Sequence, residues 1–191
     1  LNKIDFDNIK NKEEKEKVAK KVAEKIENGD VIGFGSGSTS YLTIIAIAEK
    51  MQKDNIQITA IPTSYEIEIL CHYLNIPTTN LLNKKPDWSF DGADEVDENK
   101  WMIKGRGGAM FKEKLNIANS NVTYILIDNS KFVNKLGTNF KVPVECDFNA
   151  VNYVKEQLML LGAENIEIRR AVSKDGPVIT ESNNTVSYTH L

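Results

Sequence analysis

Cysteine and histidine are nearly missing from this 191-residue chain, which has two of each. Cys71 and Cys146 form no CxxC pair, so neither a disulfide framework nor a cysteine-held zinc is expected. With His72 and His190 alone, a histidine metal site or a Ser-His-Asp triad is hard to build. The longest apolar run, Ile44 to Ala48, is far too short to span a bilayer. The N-terminus is polar and lacks the apolar core of a signal peptide. Excess positive charge is missing too. Against 24 Lys and Arg stand 27 Asp and Glu, a formal charge of -3, which gives no general attraction to nucleic acid or an anionic membrane. The expectation is a soluble protein of a reducing, cytoplasmic compartment, with no nucleic-acid or membrane partner.

What is present is ordinary globular material, 41% apolar and 27% charged, enough for one domain or one with a small companion. Val18, Val22 and Ile26, widened by Ala19 and Ala23, predict a first helix ending before Gly29. The mixed Lys/Glu run from Lys10 to Lys21 reads as its solvated face. Val31 to Gly35 reads as a buried strand, Tyr41 to Met51 as a helix and Gln57 to Ile61 as a second strand stopped by Pro62. Thr63 or Ser64 caps a helix with Ile67, Leu70, Cys71 and Leu74 on its apolar stripe, leaving His72 exposed. Further strands are expected at Ser89-Phe90 and Met102-Ile103. Val122 to Ile127, with no polar alternation, predicts a strand covered on both faces. Strands alternating with helices argue for a parallel α/β sheet.

After Gly137 the pattern becomes β-α-β-β. Val142 to Cys146 reads as a strand, Val151 to Leu161 as a helix and Ile166 to Arg170 as an alternating strand. A turn at Asp175-Gly176 then leads to a returning strand over Val178 to Thr180. The expected division is an α/β domain over 1–136 and a small α+β subdomain over 137–191.

Three loops at strand ends carry chemistry. Gly35-Ser36-Gly37-Ser38-Thr39 lies between a strand and a helix, where free N–H groups and the helix dipole suit a phosphate or carboxylate. It fits neither the GxGxxG dinucleotide pattern nor the P-loop. Asp91-Gly-Ala-Asp94-Glu95-Val-Asp97 places four carboxylates within seven residues at a strand's carboxyl end. These could form an acidic surface loop, a divalent-metal loop (although the EF-hand spacing fails) or proton carriers with separated pKa values. Lys104-Gly105-Arg106-Gly107-Gly108 precedes a helix bearing Glu113 about one turn in. A Lys beside a carboxylate can stabilise an enediolate oxygen while the carboxylate moves a carbon-bound proton.

These loops, together with Pro62-Thr-Ser64, Ile127-Asp-Asn-Ser-Lys131, Val142-Pro-Val-Glu145 and Arg169-Arg-Ala171 through Asp175-Gly-Pro-Val-Ile-Thr180, occur in one order. From about Lys15 to Asn184 the chain resembles type A ribose-5-phosphate isomerase. The resemblance implies a Rossmann-like, mainly parallel sheet flanked by helices, with a smaller α+β subdomain. It implies interconversion of D-ribose 5-phosphate and D-ribulose 5-phosphate, in a homodimer or homotetramer, without metal or other cofactor. By matched position, Glu113 is the general base, Asp94 and Lys104 hold the enediolate oxygens, and Asp91 assists ring opening. Ser36, Gly37, Ser38, Thr39, Gly105, Gly107 and Lys131 fall at substrate-binding positions, and Lys15 aligns with an N-terminal phosphate-binding lysine.

The chain departs from the family at Ser36, where Thr is usual, and at Arg106, where Gly is common. Thr185 to Leu191 does not resemble the family's continuation and looks like translated adapter sequence, so the subdomain is expected to be C-terminally truncated. A non-catalytic sugar-phosphate sensor is the alternative. It would need the phosphate loop but not the Lys104/Glu113 pair, and would usually carry a DNA-binding segment, of which none is visible before Gly29. An acyl-CoA transferase would need a nucleophilic glutamate motif that is not found.

Overall fold

The computed structural model describes residues 9–190, so the polar N-terminus discussed above and Leu191 lie outside it. Helix α1 (Lys12–Ala23) packs Ala19, Val22 and Ala23 inward. Most of its charged residues face solvent as expected. Lys15 is the exception: it lies on the same face as Ala19 and is only 7% exposed.

Four parallel strands form the main sheet in the order β2 (Thr59–Pro62), β1 (Val31–Phe34), β3 (Trp88–Gly92), β6 (Val122–Leu126). Helices α2 (Ser38–Asp54), α3 (Tyr65–Tyr73) and α4 (Met110–Asn119) connect and flank them. Ile32, Phe34, Ile44, Ile47, Ile67 and Phe90 are almost completely buried, and the Phe34 and Phe90 rings lie 5.1 Å apart. Each such side chain contributes roughly 1.5–3 kcal/mol by leaving water. The chain runs from β1 outward to β2, then crosses back to place β3 on the other side of β1. In an open α/β sheet the crevice for a ligand lies at such a switch point, outside the carboxyl ends of the strands. Gly35 and Asp91 stand at that point.

The main departure in this sheet is β6. It is an edge strand, so only one side of its ladder is paired and Val122 is 49% exposed, rather than covered as its apolar run suggested. Ser64 is the cap of α3, its hydroxyl accepting from the Ile67 N–H, and His72 is exposed.

A short antiparallel pair, β4 (Glu95–Val96) and β5 (Met102–Ile103), leads from the acidic loop to Lys104. Beyond it lies a three-stranded antiparallel sheet in the order β7 (Val142–Cys146), β9 (Thr185–His190), β8 (Glu164–Ile168), with α5 (Val151–Leu160) between β7 and β8 in the chain. Two expectations fail here. Val178 to Thr180 is not a strand: residues 170–177 make only a narrow hairpin closed by an Arg170–Pro177 bridge. Thr180 then turns, its N–H donating to the Asn184 carbonyl at 2.9 Å and its hydroxyl to Glu145 Oε1 at 2.6 Å. The tail expected to be foreign to the family is the central strand of this sheet, with Thr185, Val186, Ser187 and Thr189 all buried.

Candidate active site

The glycine-serine loop leaves β1 and enters α2. Gly35 donates its N–H to the Phe90 carbonyl at 2.8 Å, drawing the loop against β3. Gly37, at φ +87, turns the chain into the helix, so the N–H groups of the first turn face outward. Ser38 takes a hydrogen bond from Lys15 Nζ at 3.0 Å. Burial lowers the pKa of Lys15; Asp128 opposes that, while the nearby charges of Lys131 and Arg106 add to it. Ser36 is committed inward, its hydroxyl 2.8 Å from Thr63 Oγ1 and 2.9 Å from Ser64 Oγ, and its N–H bonded to Asp91.

The glycine turn after β5 brings Lys104 back over the end of β3. Gly105, at φ +98, passes so close to Met110 that a Cβ would lie 2.6 Å from the Met110 Cβ. That turn sets Ala109 at the start of α4 and Glu113 in its first turn, 5% exposed and facing the crevice. Lys104 Nζ hydrogen-bonds Glu113 Oε2 and lies 2.8 Å from Asp91 Oδ2. No well-angled donor reaches that Asp91 oxygen among the described residues, so the second contact is an ion pair rather than a hydrogen bond.

One ammonium group thus serves two buried carboxylates, and the negative charge is in excess. Burial, then the Asp91 charge, pushes Glu113 up to about 7 despite Lys104. Asp91 is raised by its own burial, against the pull of Lys104. Lys104 loses by burial but is held above the ordinary lysine range by Asp91 and Glu113.

The acidic loop is split by the fold. Asp91 and Asp94 face the crevice, and Asp94 Oδ2 accepts from the Arg106 N–H at 3.2 Å while Oδ1 lies 3.7 Å from Arg106 Nε. Glu95 points away and is fully buried, and Asp97 closes an exposed turn on the Trp101 N–H. Among the described residues no three His, Cys, Asp or Glu side chains are grouped as around a metal ion.

A single cavity of about 750 Å³ gathers the sequence candidates. Glu113, Asp94, Lys104 and Asp91 share its wall with Ser36 to Thr39, Gly105, Gly107 and Lys131, and Lys15 lies beside the loop. Phe140 and Arg169 also line it and were not singled out as site residues. Arg169 carried a signal within its Arg-Arg-Ala stretch; Phe140 carried none.

A parallel α/β sheet whose switch-point crevice holds a base near neutral pKa, a fixed ammonium group and a glycine-rich anion loop defines a proton-transfer enzyme for an anionic substrate. The comparisons agree. The family model described as ribose 5-phosphate isomerase A (phosphoriboisomerase A) matches residues 59–191, so Thr185 to Leu191, expected to be foreign to the family, falls inside the match. A ribose-5-phosphate isomerase A of Methanocaldococcus jannaschii is 38% identical over 179 residues, covering 93% of this chain and 79% of that protein. One of Thermosynechococcus vestitus is 40% identical over 177 residues, covering 92% and 75%. The solved structure of the M. jannaschii enzyme overlays with TM-score 0.91 at 37% identity, covering 95% of this chain and 80% of that one. A D-ribose-5-phosphate isomerase in complex with phospho-erythronic acid overlays at 0.87 and 37% identity, covering 93% and 78%. The chain belongs to the ribose 5-phosphate isomerase A family.

Proposed function

We propose that this chain interconverts D-ribose 5-phosphate and D-ribulose 5-phosphate through an enediolate, with Glu113 as the base. The observation that carries the reading is Lys104 Nζ, shared between Glu113 Oε2 and Asp91 Oδ2 at the floor of the cavity. Aldose and ketose differ by one proton on carbon and one on oxygen. The hard step is removal of a weakly acidic C–H beside a carbonyl. A carboxylate with a pKa near 7 is well matched to that step, because it is ionised at working pH yet still basic.

Glu113 takes the proton from C2 of the open-chain aldose and returns it to C1. Lys104 holds the oxygen that becomes anionic, a contribution that grows as the charge develops. The hydroxyl proton passes from O2 to O1 between the two adjacent oxygens of the enediolate while Asp94 accepts from that hydroxyl, and Asp91 assists ring opening. The phosphate sits on the N–H groups and hydroxyls of Gly37, Ser38 and Thr39 at the start of α2, with Lys15 and Lys131 supplying charge. Ser36 braces that loop from below, and Gly105 and Gly107 allow the sugar close to the backbone. Phospho-erythronic acid, bound by the relative, pairs a planar carboxylate with a phosphate. The enediolate likewise pairs two coplanar oxygens with a phosphate, and this supports the reading. No metal or cofactor enters it.

The test is ribose 5-phosphate in deuterium oxide, followed by proton NMR. Ribulose 5-phosphate should form, with deuterium appearing at the exchanging carbon. Binding without any exchange would instead mark a sugar-phosphate sensor.

Three coarser matters belong to the same proposal. Residues 1–136 act as the catalytic domain and 137–191 as a small subdomain, supported by the separate sheet of β7, β9 and β8. Copies associate as a dimer or tetramer, supported by the exposed Met159, Leu160 and Leu161 at the end of α5. The protein is cytoplasmic, a reading supported by two unpaired cysteines. No described helix is long and apolar enough to cross a membrane.

A further inference from the structure

Glu95 is 0% exposed, yet its carboxylate does not face the cavity. Its oxygens accept the N–H of Gly137 at 2.6 Å, of Phe140 at 3.0 Å and of Asn139. A buried carboxylate satisfied by the N–H groups of one loop fixes that loop, because releasing it would strand a charge away from water. The loop ends in Phe140, whose ring carries two cations. Arg106 Cζ lies 5.5 Å from its centroid and Lys131 Nζ 5.3 Å. Both distances are within the range where the negative face of an aromatic ring attracts a cation. Both cations line the cavity on the side of Lys15. Left to themselves they would repel one another and spread over many rotamers.

We propose that Phe140, gripped by Glu95, is a positioning residue that keeps Arg106 and Lys131 together at the cavity mouth and so sets affinity for the anionic end of the substrate. This rests on the reading that the cavity takes a sugar phosphate. The Lys15 pKa, lowered first by burial, is lowered a little further by the charges of Lys131 and Arg106, which agrees with three cations within reach of one another before any anion arrives. Arg106 adds a link to the chemistry through Asp94, but its ring contact concerns binding.

The test compares Phe140→Leu, which keeps apolar bulk without a ring, with Phe140→Trp, which keeps the ring. Steady-state KM and kcat for ribose 5-phosphate are measured, and the affinity for inorganic phosphate is taken by calorimetry. Leu should raise KM and weaken phosphate binding by about three- to tenfold with kcat within about twofold, and Trp should restore both. Unchanged KM and phosphate affinity in Phe140→Leu, or a Trp variant as impaired as Leu, overturns the proposal. If the unmodified chain turns over no sugar phosphate, the functional reading fails on its own. The phosphate titration then still decides: a loss in Leu regained in Trp upholds the platform, and equal affinities or no binding at all reject it. Glu95→Gln should raise KM similarly, with faster amide exchange at Gly137, Asn139 and Phe140. Faster exchange at unchanged KM removes Glu95 from the account.

Discussion

The Asp91 carboxylate occupies the space that a side chain on Gly35 would need: a Cβ built there falls 2.3 Å from Asp91 Oδ1 and 2.6 Å from its Cα. Because the second contact is with backbone, no rotamer change can relieve it. Gly35→Ala should therefore displace Asp91 from Lys104 and reduce kcat by at least about 100-fold, beyond any loss of stability. Gly29→Ala is the control. That glycine is at φ +94 with nothing within 4 Å, so the variant should lose about 1 kcal/mol in chemical denaturation and no activity.

Removing the proposed base should separate chemistry from binding. Glu113→Gln keeps size and a hydrogen-bonding oxygen for Lys104 but takes up no proton from carbon. Turnover should fall by about 10²–10⁴-fold or more, while sugar-phosphate affinity by calorimetry stays within a few-fold. A folded Gln variant with near-normal turnover would remove Glu113 from the mechanism.

The pKa of Glu113 makes activity depend on pH in a stated direction. Since the base must be ionised, kcat/KM should rise with pH along a unit slope and level off near pH 7, where Glu113 titrates. Stability should run the other way. A carboxyl raised from 4.5 to about 7 by folding binds its proton more tightly in the native state. The contribution is intact below about pH 4.5 and is lost progressively up to about 7, amounting to at most about 3 kcal/mol. Thermal melts at pH 5 and pH 8 should therefore favour Glu113→Gln over the parent more strongly at pH 8. Equal differences at both would contradict the shift.

Lys104 is the single cation of a cluster with more negative charge than positive. Lys104→Met should cost about 3–5 kcal/mol at pH 8, since it strands two buried carboxylates. It should also abolish turnover. Adding Glu113→Gln to that variant should recover part of the stability and none of the activity. Strict additivity in denaturant titrations would mean the two residues do not interact.

The legible part of this molecule was the part written in consecutive residues. The loop at Gly35–Thr39, the turn from Lys104 to Gly108 and the position of Glu113 on α4 follow from local spacing, because strand ends and helix starts are set by a handful of neighbours. Phe140 and Glu95 were hidden because their value lies in contacts across more than forty positions, as from Glu95 to Gly137, Asn139 and Phe140. Helix spacing alone makes Lys15 one more charge on a wet face; the family resemblance marks it, and its burial shows only once α1 lies against α2. Val122 to Ile127 read as covered on both faces, but side-chain pattern does not reveal how far the flanking elements reach, and the start of β6 lies in solvent. β9 misled through its polarity. Thr185, Ser187 and Thr189 are buried, with Thr185 donating to the Val178 carbonyl at 3.1 Å and Thr189 to that of Glu164 at 2.9 Å, so hydroxyls stand where apolar residues were sought.

Strand β9 also ties the small sheet to the helix that bears Glu113. β7 and β8 each pair with it and not with each other, so among the described residues neither has a sheet partner apart from β9. Glu145, on β7, accepts the Phe111 N–H through Oε2 at 3.1 Å, in the same first turn of α4 that carries Glu113. Because Glu145 is paired with Val186 of β9, that outside brace on α4 is held by the small sheet's central strand. Loosening the small sheet at its middle strand should therefore be felt as slack in the helix that carries Glu113.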